Sequence, residues 1–457
     1  MFTGPKGCFR TFHIVRKTRD TRMKSLKKPP CYSVNIIDAI MGEGKSTWLM
    51  NTINKDYSLS PFNGHRPKKY IILTMYLDEV DRFISRCRIA DFKSPELIHG
   101  RKYLGLNRLI DEGHNIVTTH ALWSLIDRKT FKLLREQNYC LFIDEVFDCV
   151  RTYDEITRQD MSLLLEREYI TLGENNRVLW NHKEVPDYTG KFEALVGLCD
   201  NGNLVYENQC FLLWKFPIEF LAQFSEVWIA TYLWNGSLMS NYLEANDVSV
   251  TLNTLSNHNL IPYEHGNETT AKSKLRSLIT IIDDDKLNAV GSTSVYKGTI
   301  MQNKINPLSS SWYKRQDEKG LKLIKTNTYN FFNNRSKGGS SLAMWTCFKR
   351  DKNKLKGKGY TKGWVPYTTK ATNEYRHKAH LAYLVNVFIM PQIKHHLEAN
   401  GAKINEEVYA LSEFVQWLFR SRIREGHPIT LYVPSERMRT ILIDWLNPPI
   451  SAQVLAA

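Results

Sequence analysis

The densest chemistry in this chain lies in nine consecutive residues, Ala39-Ile40-Met41-Gly42-Glu43-Gly44-Lys45-Ser46-Thr47. Gly42 and Gly44 permit a tight turn whose backbone N–H groups face outward, Lys45 adds an ammonium, and Ser46 and Thr47 add hydroxyls. Together these groups suit the phosphates of a nucleotide such as ATP. The backbone from Gly42 through Glu43 and Gly44 to Thr47 cradles phosphate oxygens, Lys45 reaches the β- and γ-phosphates, and the Ser46 hydroxyl holds Mg²⁺. Such a turn needs a strand before it and a helix after it. Ser33-Val34-Asn35-Ile36-Ile37 is a strand-like run, and Trp48, Leu49 and Thr52 are spaced as on a helix. Ala39 stands where the pattern usually has glycine, which alanine tolerates if φ stays negative there.

Two further constellations match this chemistry. Tyr139-Cys140-Leu141-Phe142-Ile143 is an apolar run ending in Asp144-Glu145, which puts two carboxylates at the edge of a sheet where open α/β folds bind ligands. There Asp144 would hold Mg²⁺ and Glu145 would polarise the water that attacks a γ-phosphate; capping the next helix is the plain alternative. Gln416, Arg420 and Arg424 recur every fourth residue in a stretch, Leu411 to Arg424, whose spacing predicts a helix. Three donors on one face want an anion, and an arginine there can stabilise charge developing on a γ-phosphoryl group; an exposed basic face is the alternative.

The elements that must position these residues alternate in type. Tyr70–Thr74 and Ile116–His120 read as strands, a helix is predicted over Leu122–Leu134, and Val227–Tyr232, ending near Thr231, reads as another core strand. Strands separated by helices predict α/β architecture with parallel central sheets. Asp200-Asn201-Gly202 lies between two apolar runs and predicts a β-hairpin within an insertion at about 165–225. The polar stretch 257–275 reads as a linker. Beyond it, strands at Leu278–Ile282, Leu342–Phe348 and Leu431–Val433, with helices at Lys378–Glu398 and Arg437–Trp445, predict a second α/β domain. The expected division is an arm at 1–30, a first domain at 31–256, the linker, a second domain at 276–447 and a tail at 448–457.

Composition points to the partner. In 457 residues, 62 Lys and Arg outweigh 47 Asp and Glu, a net charge of +15 that favours nucleic acid over a small neutral substrate. The arm 1–30 is basic, with Arg10, Arg16, Lys17, Arg19, Arg22, Lys24, Lys27 and Lys28 among its cations, as a phosphate-binding segment or a solvated tail. In the second domain Trp312, Tyr313, Lys314 and Arg315, then Lys349, Arg350, Lys352, Lys354, Lys356, Lys358, Tyr360, Lys362 and Trp364, mix cations with rings as single-strand binding requires. Single-stranded DNA is favoured and RNA is compatible; a solvated lysine loop is the alternative. Eight cysteines form no CxxC pair, and no run of 18 or more apolar residues occurs, so a reduced, cytoplasmic, non-membrane protein is expected.

The order of these features resembles superfamily 2 DEAD/DEAH-box-type helicases, most of all their divergent bacteriophage-encoded branch, from about residue 33 to about 446. Ala39–Thr47 resembles motif I, Leu73–Leu77 motif Ia, Thr118-Thr119-His120 the next nucleic-acid motif, and Asp144-Glu145-Val146-Phe147 motif II. Ala230-Thr231 resembles motif III, Met344-Trp345-Thr346 motif IV, and Gln416 with Arg420 and Arg424 motif VI. Phe419 replaces the usual glycine before the first arginine, the second arginine is displaced by one residue, and Thr368–Asn373 occupies the place of motif V without its signature. The resemblance implies two RecA-like domains facing one ATP with Mg²⁺, a strand of nucleic acid across both, and ATP hydrolysis coupled to translocation or unwinding in phage replication or recombination. Two other classes fit part of the pattern: a viral DNA-packaging (terminase-like) ATPase, for which Asp283-Asp284-Asp285 would serve a nuclease metal, and a nucleic-acid-binding protein with a degenerate ATP site.

Overall fold

The computed structural model describes residues 34–59, 64–123, 126–264, 266–294, 297, 305–336, 339–369 and 373–447. The expected basic arm and tail, Gly338, and Ala371-Thr372 lie outside them. The first sheet begins with β1 (Val34–Asp38), β2 (Lys69–Thr74), β3 (Ile116–Thr119) and β4 (Tyr139–Asp144). An inserted region follows with β5 (Val150–Thr152), β6 (Ile170–Leu172), β7 (Val178–Trp180), β8 (Leu204–Glu207) and β9 (Phe211–Lys215). The chain then returns as β10 (Glu226–Thr231), β11 (Val250–Ser256) and β12 (Asn259–Pro262). The order is β12-β11-β1-β10-β4-β2-β3, parallel except for β12 on β11.

Both faces of this sheet are buried, which is why its strands read as near-continuous apolar runs. Alternate side chains serve different cores. Ile36, Ile71, Leu73, Leu141 and Ile143 pack with the inserted region on one face. Ile37, Tyr70, Ile72 and Phe142 meet Leu49, Ile53, Val80 and Phe83 of the helices Lys45–Leu59 and Leu77–Arg86 on the other. The second unit has β13 (Ile279–Ile281), β14 (Ala343–Thr346), β15 (His380–Tyr383) and β16 (Ile429–Tyr432), ordered β13-β16-β15-β14 and all parallel. The α/β class with parallel central sheets is thus as the sequence implies.

Several local expectations are corrected. Asp200 and Asn201 end the helix Glu193–Asn201, and Gly202 (φ 73°) caps it; the Gly202 N–H donates to the Cys199 carbonyl at 3.0 Å. A left-handed glycine serves a helix C-terminus as readily as a hairpin, and the antiparallel turn instead falls between β8 and β9, at Asn208 and Gln209. The predicted helix over Lys378–Glu398 is the central strand β15 followed by the helix Pro391–Ala399. A strand buried on both faces has no readable period, and Pro391 marks the true helix start. The polar stretch 257–275 is structured: Asn259–Pro262 is β12 and a helix spans Thr269–Leu278. Three of the four rings expected to stack on bases are core, and the fourth, Trp364, is half-buried under the Lys352 ammonium, 4.0 Å from its ring centre. Trp312, Tyr313 and Tyr360 are buried in the second unit's outer core, with Trp345.

The two units share a core. Ile40 and Tyr232 of the first pack with Leu411, Phe414 and Val415 of the helix Glu406–Leu418 of the second. Gly236 makes this approach possible, because a Cβ there would lie 2.4 Å from the Val408 carbonyl oxygen. Backbone cannot yield as a side-chain tip can. Gly236→Ala is therefore expected to destabilise the protein by about 1–3 kcal/mol, read as a lower denaturation midpoint, whereas Gly197→Ala, with open space around its Cβ position, leaves it within about 0.5 kcal/mol or raises it.

Candidate functional site

Strand register brings the chemistry together. Asp38 of β1 pairs in register with Thr231 of β10, and Ala230 with Asp144 of β4, so three neighbouring strands end within one residue of each other. The turn after β1 then leads into the helix that starts at Lys45. Gly42 (φ 98°) and Gly44 (φ 87°) are left-handed, a conformation that L side chains rarely adopt, while Ala39 is not among the positive-φ residues. The glycine turn opens onto a cleft of ≈ 520 Å³ between the two units. Gly42, Gly44, Lys45, Ser46, Thr47, Asp144 and Glu145 line it from the first unit, and Phe419, Arg420 and Arg424 from the second. The Glu43 side chain does not line it; Glu43 is exposed and its N–H donates to the Ile40 carbonyl at 3.2 Å.

The charges in the cleft constrain each other; Lys45 and Arg420 are buried, Asp144 and Glu145 are half-buried, and Arg424 is exposed. The Lys45 ammonium donates to the Ala39 and Ile40 carbonyls at 2.5 and 3.4 Å. Burial pushes its pKa down, and Glu145, Asp38 and Asp144 pull it back up. The Ser46 hydroxyl donates to both Asp144 oxygens, at 3.2 Å to Oδ1 and 3.0 Å to Oδ2. Burial pushes Asp144 up to about 6, with Glu145 and Glu79 adding to the rise and Ser46 and Lys45 opposing it. A hydroxyl and a carboxylate in contact are hard oxygen donors of the kind Mg²⁺ takes. The crowding of three acids gives a cation further reason to bind there.

Glu145 stands out by its backbone. Its φ is +73°, a conformation that costs a non-glycine residue on the order of 1–3 kcal/mol. Its N–H is held by the Ala230 carbonyl at 2.9 Å, and its Oε2 is buried without a hydrogen-bond partner among the described residues. A free carboxylate oxygen beside Asp144 is suited to accept a proton from a water molecule.

The predicted arginine helix is different in detail. The helix ends at Leu418, Arg420 lies just past it, and Arg424 lies in the short turn Arg422–Glu425. Both arginines nonetheless reach the cleft. Arg420 is 3% exposed; its Nε donates to the Gln416 carbonyl at 3.1 Å, and burial lowers its pKa to about 10 against the pull of Glu145. Arg424 donates to Asn373 Oδ1 at 2.7 Å. Gln416 does not line the cleft. It is buried on the inward face of the helix, where its Nε2 donates to Ser412 Oγ at 3.4 Å, so the spacing of four grouped a core residue with two cleft residues.

The cleft also holds residues that pattern reasoning passed over. Asn51 and Asn54 extend it along the first helix, and Glu79, Arg82 and Arg86 along the helix Leu77–Arg86, with Arg82 paired to Glu79 at 2.8 Å. The signal available was the spacing of Glu79, Arg82 and Arg86 in the first helix after a core strand. His258, at the tip of the β11–β12 hairpin, abuts the glycine turn: a Cβ on Gly44 would lie 3.1 Å from its Nδ1. Asp38, which the sequence pattern does not single out, closes β1. It is a buried clamp that accepts the Leu233 and Trp234 N–H groups at 2.8 and 2.9 Å. Asp284, offered above for a nuclease metal, caps the helix Asp285–Asn288 and pairs with Arg335 at 2.6 Å. Among the described residues no group of three or more His, Cys, Asp or Glu gathers as a metal site.

The fold and the cleft define an α/β protein of two parallel-sheet units that share one charged site. The chain belongs to the family of the SPbeta prophage-derived uncharacterized protein YonV of Bacillus subtilis (strain 168), to which it is 35% identical over 428 residues, covering 91% of this chain and 98% of that protein. Residues 273–446 match the YonV C-terminal Rossmann-like domain and residues 150–214 the YonV middle domain, the latter corresponding to the inserted region β5–β9. Among solved structures, S. tokodaii Xpd4 is similar at a TM-score of 0.44 and 10% identity, over 91% of this chain and 94% of that one. No helix among the described residues is long and apolar enough to cross a membrane.

Asp144 yields a prediction with a definite sign. Its pKa is above the ordinary 3.8 in the folded protein, so between pH about 4 and about 6 the folded state binds more protons than the unfolded, and stability falls as pH rises through that window. In Mg²⁺-free buffer at pH 7.5, Asp144→Asn is expected to raise stability by about 1–2 kcal/mol, with the gain vanishing near pH 4. Thermal melts of both proteins across that range measure it.

Proposed function

We propose that the cleft binds ATP with Mg²⁺ and hydrolyses it, and that the protein is a nucleic-acid-dependent ATPase of the helicase or translocase class. The observation that carries this reading is the Ser46–Asp144 hydrogen bond at the foot of the glycine turn, with the buried Arg420 facing the same cleft from the other unit. In this reading the left-handed Gly42 and Gly44 let the backbone approach the phosphates, and Lys45 gives up the Ala39 and Ile40 carbonyls for the β- and γ-phosphates. Ser46 and Asp144 hold the metal, which supplies charge neutralisation on the phosphate oxygens. Glu145 orients and deprotonates water with the oxygen that has no other partner.

Arg420 and Arg424 stabilise charge on the transferred phosphoryl group. Because they sit on the second unit, hydrolysis and the relative position of the units are linked, and alternating grip turns that link into movement along a strand. The excess of 62 cations over 47 anions supports a polyanionic track, single-stranded DNA first and RNA second. The prophage origin of the relative supports a role in phage replication or recombination, in the host cytoplasm.

The deciding experiment measures ATP hydrolysis with single-stranded DNA, duplex DNA and RNA as stimulants, and a tailed duplex to report unwinding. Lys45→Ala and Glu145→Gln are expected to lower turnover by about 100-fold or more. Arg420→Ala should lower it to a similar degree while nucleotide affinity changes only a few-fold. Unchanged turnover in Lys45→Ala and Glu145→Gln would sink the enzymatic reading, and loss of nucleotide binding in Arg420→Ala would make that arginine structural.

A further inference from the structure

The second unit carries a groove of which the basic stretch read in the sequence supplies one wall, Lys354 and Lys358, and a helix that pattern does not mark supplies the other. It runs between the helix Glu318–Asn330 and the segment Lys354–Lys358, with a volume of ≈ 1130 Å³. The helix buries Ile324, Asn327 and Thr328 and turns the opposite face outward. On that outer face Lys322, Lys325 and Tyr329 fall at i, i+3 and i+7, a single stripe, and Tyr329 is 42% exposed. Lys354 and Lys358 face the stripe across the groove.

The opposing segment is held in place rather than loose. Gly359 (φ +90°) turns the chain back against the helix, where Asn333 Nδ2 donates to the Lys358 carbonyl at 3.5 Å. The buried Tyr360 hydroxyl donates to the Leu355 carbonyl at 2.7 Å. Among the described residues none of Lys322, Lys325, Lys354 and Lys358 makes an ion pair. The acids on the groove lie at one end, where Asp317 is engaged as the helix cap, accepting the Gly320 N–H at 2.8 Å, and Glu318 begins the first turn. Four unpaired ammonium groups around one exposed ring complement a flexible polyanion that has flat bases to stack, and a rigid duplex offers no such bases.

Position adds a second argument. Contacts at both ends of the helix lie at the carboxyl edge of the four-stranded sheet: before it, the Tyr313 hydroxyl donates to the Leu384 carbonyl just past β15 at 2.8 Å, and beyond its last turn Arg335 pairs with Asp284 just past β13 at 2.6 Å. Arg420 and Arg424 precede β16, beside Arg422, whose N–H donates to the Lys378 carbonyl just before β15 at 3.1 Å. The contacts that anchor the groove's helix and the contact that anchors the arginine turn therefore lie at opposite edges of one sheet.

We infer that this groove binds single-stranded nucleic acid, with Lys322, Lys325, Lys354 and Lys358 on phosphates and Tyr329 under a base. The inference rests on the nucleic-acid reading of the protein and adds the place of contact. A strand held there moves with the second unit as the arginines at its other edge engage the nucleotide.

Fluorescence anisotropy with a labelled oligo-dT tests it on the full chain. Lys322→Glu with Lys325→Glu, and separately Lys354→Glu with Lys358→Glu, are expected to weaken binding about 10-fold or more at moderate salt. Each pair should also flatten the slope of log affinity against log salt by about 1.4, at about 0.7 per phosphate contact. Tyr329→Ala should weaken binding about 5-fold or more with the slope unchanged, and Tyr329→Trp should restore it. Unstimulated ATP hydrolysis and the circular dichroism spectrum should match those of the unaltered protein in every variant, which separates the groove from misfolding. If the unaltered protein binds oligo-dT while all of these variants keep its affinity and salt slope, the groove is not the strand site, and an acidic protein becomes the partner to seek. If the unaltered protein binds no strand, DNA or RNA, the nucleic-acid reading itself falls.

Discussion

A buried ammonium organises the first unit. Lys45 begins a helix whose amino end already carries partial positive charge, and it is 8% exposed, so both burial and the helix dipole oppose its charge. What offsets this is a shell of acceptors: the Ala39 and Ile40 carbonyls in contact, and Asp38, Asp144 and Glu145 around it. Those acids are in turn costly without a cation near them. The glycine turn, the ends of β1 and β4 and the following helix are each acceptable only because the others are present.

The same edge is wired to the second unit. Asp38 fixes the backbone after β10 through two N–H groups, which sets Tyr232 into the interface. The Tyr232 hydroxyl donates to Glu268 at 2.9 Å and accepts from the Trp445 indole at 3.0 Å, and Lys272 pairs with Glu268 at 3.0 Å. One network thus touches the end of β10, the connecting helix Thr269–Leu278 and the last helix Glu436–Leu446. These buried hydrogen bonds and the ion pair join the two units through directional contacts, with Glu268 Oε1 left without a hydrogen-bond partner among the described residues.

The cleft carries local costs. The left-handed backbone of Glu145, its unpartnered oxygen, the raised Asp144 and the desolvated Arg420 all lower stability, and nothing in the packing of the core requires them. Left-handed residues and unpartnered buried atoms also occur elsewhere, as at Leu233 and Trp345 Nε1; what the cleft adds is desolvated charge of both signs, at Lys45, Asp144 and Arg420, a pattern that suits a charged ligand.

The elements readable in the sequence were those whose signal is local. A β-branched run before Gly42-Glu43-Gly44-Lys45-Ser46, and an apolar run ending in Asp144-Glu145, announce themselves because the residue types and their order are the structure. Tertiary structure decided everything that depends on which side of an element faces what. It made Gln416 a core residue and Arg420 a cleft residue although both fit one spacing, and it turned the run at β15 into a strand where length alone suggested a helix. It buried Trp312, Tyr313 and Tyr360 and left Tyr329 exposed, a choice no composition reveals, since an aromatic ring beside lysines is equally suited to a core or to a base. It also set Leu233 and Trp234 against Asp38, and His258 against the glycine turn, from distant parts of the chain. Proximity of that kind arises from strand register and sheet order, which are properties of the whole chain, and no window of sequence contains them.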